Sequence, residues 1–313
     1  MEERDPRAPA LLLALGCTWG ASFLFIKVIV EDVSPVELVA GRLFFGALSV
    51  LAFILVTKHE FRWTPGIPRK MAVQAVASNI IPFWLISWGE QHIDSGTASV
   101  LNSTVPIFTA VFAAMFLLEE RFTAGRLVGL LLGFAGIIVL TGDDALRITD
   151  SDVLGQLAVV GAAVCYGAAA VYSRTLLRQN DPVTLSALQL MLGTAFCVPL
   201  VIAFEGAPAY GSMGLDAWGS LLALGLGGTG LAYIVYLWLI EHTGSVRASL
   251  VTYIVPVIAL FLGWAVLDES LGVNVIAGAA LIVFGVATVM RGQGPARVRR
   301  MEPAVAAGSP AES

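Results

Sequence analysis

Arg42 stands within the apolar run "PVELVAGRLFFGALSVLAFILV", a place where a permanent charge is costly and normally faces protein or water. Its guanidinium can grip a carboxylate through two parallel N–H donors. It can equally serve as a clamp, paired with Glu37, Asp94 or backbone carbonyls. Gln189, in the similar run "PVTLSALQLMLGTAFCV", offers hydrogen bonds without a charge. Two Glu/His pairs, Glu90 with His92 and Glu241 with His242, titrate and are candidates for gating or proton coupling. Interfacial side chains in contact with water are the other reading of all four. Among the aromatic residues, Trp19, Trp84, Tyr166, Tyr233 and Tyr253 fall deepest in apolar runs and can wall a π-rich cavity. Asn102, Ser103 and Thr104 would add polar lining. The three histidines are scattered, and no metal-ligand spacing or cofactor motif is expected among them.

The elements that carry these residues follow from composition. Hydrophobic residues make up 57% of the chain and charged residues only 13%, against about 25% charged in ordinary soluble domains. Mean hydropathy is +0.83. A helix needs roughly 20 apolar residues to cross the hydrocarbon core. Such runs recur at 9–30, 35–57, 70–89, 96–118, 124–141, 153–175, 182–204, 216–240, 245–267 and 272–290. The expected fold is therefore an all-α integral membrane protein of ten transmembrane helices. Short connections with cap and turn signals, such as Ser34-Pro35 and Asp181-Pro182, leave no room for a soluble domain. The apolar runs are continuous rather than alternating, which excludes a barrel.

Lys and Arg are retained on the cytoplasmic side. With the N-terminus inside, 15 of the 18 fall on inner segments. Both termini are then cytoplasmic, and the basic tail 292–313 is expected to be disordered. Cys17, Cys165 and Cys197 all lie inside expected spans and should stay free. Nothing in the charge pattern supports nucleic-acid binding. The two N-terminal arginines and "LGC" imitate a lipoprotein signal, but the apolar run continues too far for a signal core.

Slid against itself, the chain repeats. At an offset of 147 residues "WGASFLFIK" falls on "YGAAAVYSR", and Arg42 falls on Gln189. At 150, Trp88 falls on Trp238, His92 on His242 and Pro106 on Pro256, and at 149 Glu120 falls on Glu269. Two units are expected, 1–145 and 146–291. Each holds five spans, an odd number, so the second would be inverted in the membrane relative to the first. Pro106 and Pro256 remove backbone hydrogen bonds inside spans and are candidate hinges, with a static kink as the plainer reading. Lys27 and Arg174 form a further matched pair, which snorkelling would also explain. Gly16-xxx-Gly20 and Gly129-xxx-Gly133 permit close helix contact, and the second leaves a homodimer open. "GLGGTG" at 225–230 imitates a dinucleotide fingerprint but lies in an apolar helix without a preceding strand, so helix packing or bending is its expected role.

Trp19-Gly20, the Pro35…Arg42 pair, and the paired Pro106…Glu120 and Pro256…Glu269 segments resemble the EamA family of the drug/metabolite transporter superfamily. The resemblance covers roughly residues 9 to 290. It implies a ten-helix exporter with a central cavity for amino acids, related metabolites or drugs, working on a small-molecule solute in the cytoplasmic membrane. The competing class is an integral membrane enzyme acting on a lipid or isoprenoid, which generally needs acids or histidines clustered at one membrane face.

Overall fold

The computed structural model describes residues 5–93, 95–117, 123–141, 152–206, 208–267 and 273–291. Asp94, Glu120, Glu269, the acidic loop at 143–151 and the tail 292–313 lie outside them. Every regular element among the described residues is helical. Seven helices are long and apolar enough to cross a membrane, from Ala8–Ile29 to Leu215–Thr243, and two shorter apolar stretches are Leu127–Gly136 and Ser245–Ile258.

In chain order the helices are α1 (Ala8–Ile29), α2 (Pro35–Thr57), α3 (Ile67–Ala75), α4 (Ile81–Gly89), α5 (Ser95–Asn102), α6 (Val105–Phe116) and α7 (Ala124–Thr141). They continue as α8 (Asp152–Leu176), α9 (Pro182–Phe204), α10 (Leu215–Leu222), α11 (Ala232–Thr243), α12 (Ser245–Ser249), α13 (Val251–Leu267) and α14 (Val273–Arg291). Starts are dictated locally. Ser34 and Glu37 form a reciprocal capping box at α2, Asp181 caps α9 through the Thr184 N–H, and a proline occupies the first turn of both.

Four expected spans are not uniform helices, the ninth being divided at Leu250 between α12 and α13. A π segment, Val76–Ile80, joins α3 to α4, and a second, Ala223–Leu231, joins α10 to α11. In the expected fourth span the helix stops at Asn102 and restarts at Val105, so Pro106 sits in the first turn of α6 rather than mid-helix. A ring there has no preceding turn to strike, which is why proline is tolerated. Pro256, in contrast, lies inside α13. It cannot donate to the carbonyl four residues back, that of Thr252. The Ser103 hydroxyl donates to that oxygen instead, at 2.8 Å, and is also 2.9 Å from the Ser99 carbonyl.

Contacts sort the helix ends into two sets. At one end, Lys27 Nζ donates to the Glu90 carbonyl at 2.7 Å, Gly214 N–H to Asp32 at 3.1 Å, and the Tyr210 hydroxyl to the Glu37 carbonyl at 2.7 Å. Burial and the nearby Glu37 push the Tyr210 phenol up to about 12, so it remains a donor at any physiological pH. At the other end His59 meets Asp181 at 2.9 Å, Thr64 N–H bonds Asn180, and Arg174 Nη1 donates to the carbonyls of Ile240 and Glu241 at 2.5 and 2.7 Å. Lys27 and Arg174 therefore act alike: neither snorkels, and each neutralises the carbonyl end of a helix.

Packing between helices relies on small residues, since lipid supplies no hydrophobic drive for helix association. α1 packs on α13, α2 on α9 and on the second π segment, α8 on α4 and α6, and α7 on α14. A Cβ on Gly16 or Gly20 would lie 2.7 Å from Ile254 or Ile258, and one on Gly285 would lie 2.7 Å from the Gly129 carbonyl. The Gly129/Gly133 stripe is thus spent on α14 of the same chain and is not free for a second copy. Large apolar side chains such as Leu55, Val56, Phe116, Leu157 and Phe204 point outward, as lipid requires. The three cysteines are free.

Replacing Ser103 by Ala should leave the Thr252 carbonyl without a donor and lower stability by about 1–3 kcal/mol, the usual cost of one orphaned buried polar group. In the Ser103→Ala/Pro256→Ala double variant, the new backbone N–H at 256 can serve that carbonyl. Most of the loss should return, read as thermal unfolding in detergent. Additive losses would show that the hydroxyl is not the proline's replacement donor.

Candidate functional site

The two π segments are where the helices become polar inside. A π turn widens the helix by one residue, leaves carbonyls off the regular ladder and re-aims the side chains that follow. Thr229 uses its hydroxyl to cover one such carbonyl, that of Leu224, at 2.8 Å. Arg42 Nε donates to that same hydroxyl oxygen at 2.7 Å, and the guanidinium carbon lies 3.6 Å from the centre of the Phe83 ring. On the other side Gln189 Nε2 donates to Asn79 Oδ1 at 2.5 Å and to Ser78 Oγ at 3.3 Å. Thus Arg42 and Gln189, aligned in the sequence, each grip the π segment of the opposite half.

Between these clamps lies a cavity of about 60 Å³, counted as space for the centres of water-sized spheres. One buried water needs roughly 10–15 Å³ on that measure, so the space holds a few waters or a small solute fragment. Its aromatic wall comprises Trp19, Phe23, Phe83, Tyr166, Tyr233 and Tyr236, and polar groups enter from Ser22, Arg42, Ser78, Asn102, Ser173 and Thr252. Arg42 is the one charged residue among these lining residues. Trp19 Nε1 donates to the Gly228 carbonyl at 3.0 Å and Tyr233 donates to the Ser78 carbonyl at 2.9 Å, so each π segment also orients an aromatic ring. The Trp19 and Tyr236 rings lie 5.1 Å apart.

The free valences of this cavity define what it can bind. Only Nε of Arg42 has a hydrogen-bond partner among the described residues, which leaves Nη1 and Nη2 as unfilled donors on the cavity wall. Asn102 is 6% exposed and its Oδ1 accepts no hydrogen bond among the described residues. Arg42 lies seven residues from the start of α2, and Asn102 seven from the start of α5. A planar pair of donors, an acceptor and an aromatic enclosure together suit a small solute with a carboxylate and an apolar body.

Several expected residues lie elsewhere. Trp84 is 39% exposed and stacks on Trp88, and it is the neighbouring Phe83 that faces the cavity. Tyr253 is fully buried but points away from the cavity, against Gly133, with its hydroxyl donating to the Leu130 carbonyl at 3.0 Å. Ser103 is consumed in joining α5 to α13, and Gln189 reaches Ser78 and Asn79 without itself lining the cavity. Glu37 does not meet Arg42: its carboxylate accepts from the backbone N–H groups of Ser34 and Ala209. Glu90, His92, Glu241 and His242 also stand off the cavity wall, at the two ends of the bundle. His92 and His242 are built alike, each bonding Nδ1 to the carbonyl four residues back at 2.9 Å and lying over Trp88 or Trp238. Phe83 and Ser78 are gains that the sequence reading lacked. The polar Ser78-Asn79 pair within an apolar run was the available signal, whereas nothing marked Phe83.

Comparison with known proteins places this geometry. The sequence model of the EamA-like transporter family matches residues 7–142 and again 153–291. The chain is 30% identical over 275 residues to the uncharacterized transporter YoaV of Bacillus subtilis, covering 88% of this chain and 94% of the relative. It is 27% identical over 287 residues to a probable terminal-alkyne amino-acid exporter of Streptantibioticus cattleyicolor, covering 90% and 92% of the two chains. YedA of Escherichia coli K12, an uncharacterized inner membrane transporter, is 26% identical over 290 residues, 90% of each chain. A solved crystal structure shares the fold with a TM-score of 0.72 at 22% identity, over 90% of this chain and 96% of that one. These relatives are transporters, which sets aside the lipid-acting enzyme considered from sequence. The chain is a multi-span membrane protein and belongs to the EamA-like transporter family.

Proposed function

We propose that this protein is a secondary transporter that exports a small carboxylate-bearing metabolite, an amino acid or close analogue, across the cytoplasmic membrane by alternating access. The observation that carries this reading is Arg42, among the described residues the single charge lining an aromatic cavity, with neither terminal nitrogen hydrogen-bonded to any of them. The amino-acid exporter among the relatives supports the same substrate class. In this reading ten helices form two inverted five-helix units, 1–145 and 146–291, with both termini in the cytoplasm and the Glu90 end of the bundle outside.

Matched contacts support the pairing of the halves. Lys27 and Arg174 each bind the end of a helix, His92 and His242 each lie on a tryptophan, and Arg42 and Gln189 each hold the other half's π segment. The family model likewise fits each half once. Halves that can exchange conformations turn an inward-facing shape into an outward-facing one around a fixed site. The difference between Arg42 and Gln189 then makes the site chemically one-sided while its frame stays two-fold.

Metabolite profiling of the medium around expressing cells, with Arg42→Ala and Arg42→Gln variants at equal membrane levels, tests the substrate class. The intact protein should enrich a carboxylate-bearing solute outside. Arg42→Gln keeps a donor for Thr229 but removes the charge, and should weaken apparent affinity on the order of 30-fold, the equivalent of about 2 kcal/mol for a charge-assisted hydrogen bond. Equal export by all three proteins would remove Arg42 from solute binding. Topology has its own check: a reporter fused after residue 313 should be cytoplasmic, and one inserted in the 143–151 loop should face outside. The same side for both would end the five-plus-five inverted arrangement.

A further inference from the structure

Glu90 is a buried acid for which neither the fold nor the cavity accounts. It is 0% exposed, and neither carboxyl oxygen has a hydrogen-bond partner among the described residues. Two cations reach it by their fields, Lys27 from α1 and Arg42 from α2, and the Ser95 hydroxyl of α5 stands next to the carboxyl as a hydrogen-bond donor that does not close to full contact. Neither cation pairs with the carboxyl: Lys27 Nζ is held by Glu90's own main-chain carbonyl at 2.7 Å, and Arg42 Nε by Thr229 at 2.7 Å. His92, two residues on, is turned onto Trp88. Around this end the chain closes in apolar contacts, with Ile86 and Ile93 in one buried cluster with Ile26, Ile29 and Ala98. A carboxylate stripped of water, with only the Ser95 hydroxyl near enough to donate, is more costly there than the neutral acid.

We propose that Glu90 is a proton-binding site that couples closure of the outer mouth to uptake of one proton. The inference rests on the orientation given above, with the Glu90 end outside. With the mouth closed, as here, the carboxyl is neutral. When it opens, water reaches the acid, the O–H bond breaks with its electron pair left on oxygen, and the proton passes to external water. The ionised group then has Lys27 and Arg42 as counter-charges. Because the closed form binds the proton more tightly, lower external pH favours closure and higher pH favours opening. The other end of the bundle is built differently: Glu241 lies 3.8 Å from His242 Nδ1, and Arg174 donates to its carbonyl. The guanidinium proposed to bind the solute carboxylate also faces Glu90, so proton and solute act on a shared charge.

The test needs no knowledge of the solute. With Cys17, Cys165 and Cys197 changed to alanine, an Ile26→Cys substitution places a thiol on the cavity wall near the outer mouth. Its rate of labelling by an external membrane-impermeant thiol reagent is measured in right-side-out proteoliposomes. Each rate is divided by that of the unfolded protein at the same pH, which removes the thiol's own ionisation. The normalised rate should fall by up to about tenfold per unit as external pH is lowered, the slope of a one-proton linkage. In the Glu90→Gln background it should be slow and flat. Infrared spectra at neutral pH should show a neutral-carboxyl C=O band that Glu90→Gln lacks. An unchanged pH slope in Glu90→Gln, or no loss of that band, overturns the proposal. Failure of solute export alone would touch only the transport reading, since neither readout involves solute.

Discussion

In hydrocarbon a backbone N–H or C=O cannot turn to solvent, so every departure from a regular helix must be answered by a partner inside the protein. The architecture of this transporter follows from that constraint. Where the ladder is intact, along most of α1, α2 and α9, side chains are free to be apolar and face lipid or one another. At three of the breaks, the two π segments and the turn beneath Pro256, polar side chains converge: Trp19, Tyr233 and Thr229 on the first two, Ser103 on the third, whereas α9 is interrupted by Pro199. The cavity is where those repairs meet. Its polarity is therefore a by-product of backbone accounting, with Arg42 and Asn102 holding the valences that the repairs leave unfilled.

Charge is handled by the same economy. Lys27 and Arg174 are held by main-chain carbonyls at helix ends, where the partial negative charge of the helix terminus receives them. Arg42 has no such terminus within reach. It has instead a ring face, a hydroxyl and the cavity, which meet only part of what a guanidinium can donate. Gln189 occupies the matching place with no charge to satisfy and is absorbed by Ser78 and Asn79.

Hydropathy and charge placement made the membrane class and most helix boundaries legible, because each depends on composition over some twenty residues. The matched pairs Lys27/Arg174 and His92/His242 were legible too, since the duplication preserved residue types at fixed offsets. What escaped was rotational phase. A π turn inserts one residue without any letter that announces it, and past it Phe83 lines the cavity whereas Trp84 does not. Tyr253 misled for a related reason: depth along a helix is visible in the sequence, but azimuth around it is not, and its ring fills the space left by Gly133. "GLGGTG" was read correctly as a bending and packing element, yet its Thr229 proved to be the residue that holds Arg42.

The bond from Ser103 to the Thr252 carbonyl joins two helices at a point where proline has already removed the internal donor. Thr252 also lines the cavity, so water entering there comes close to the same joint. A water molecule can replace a hydroxyl at a carbonyl with little loss of enthalpy. The joint between the two helices therefore lies beside the space that water and solute would share.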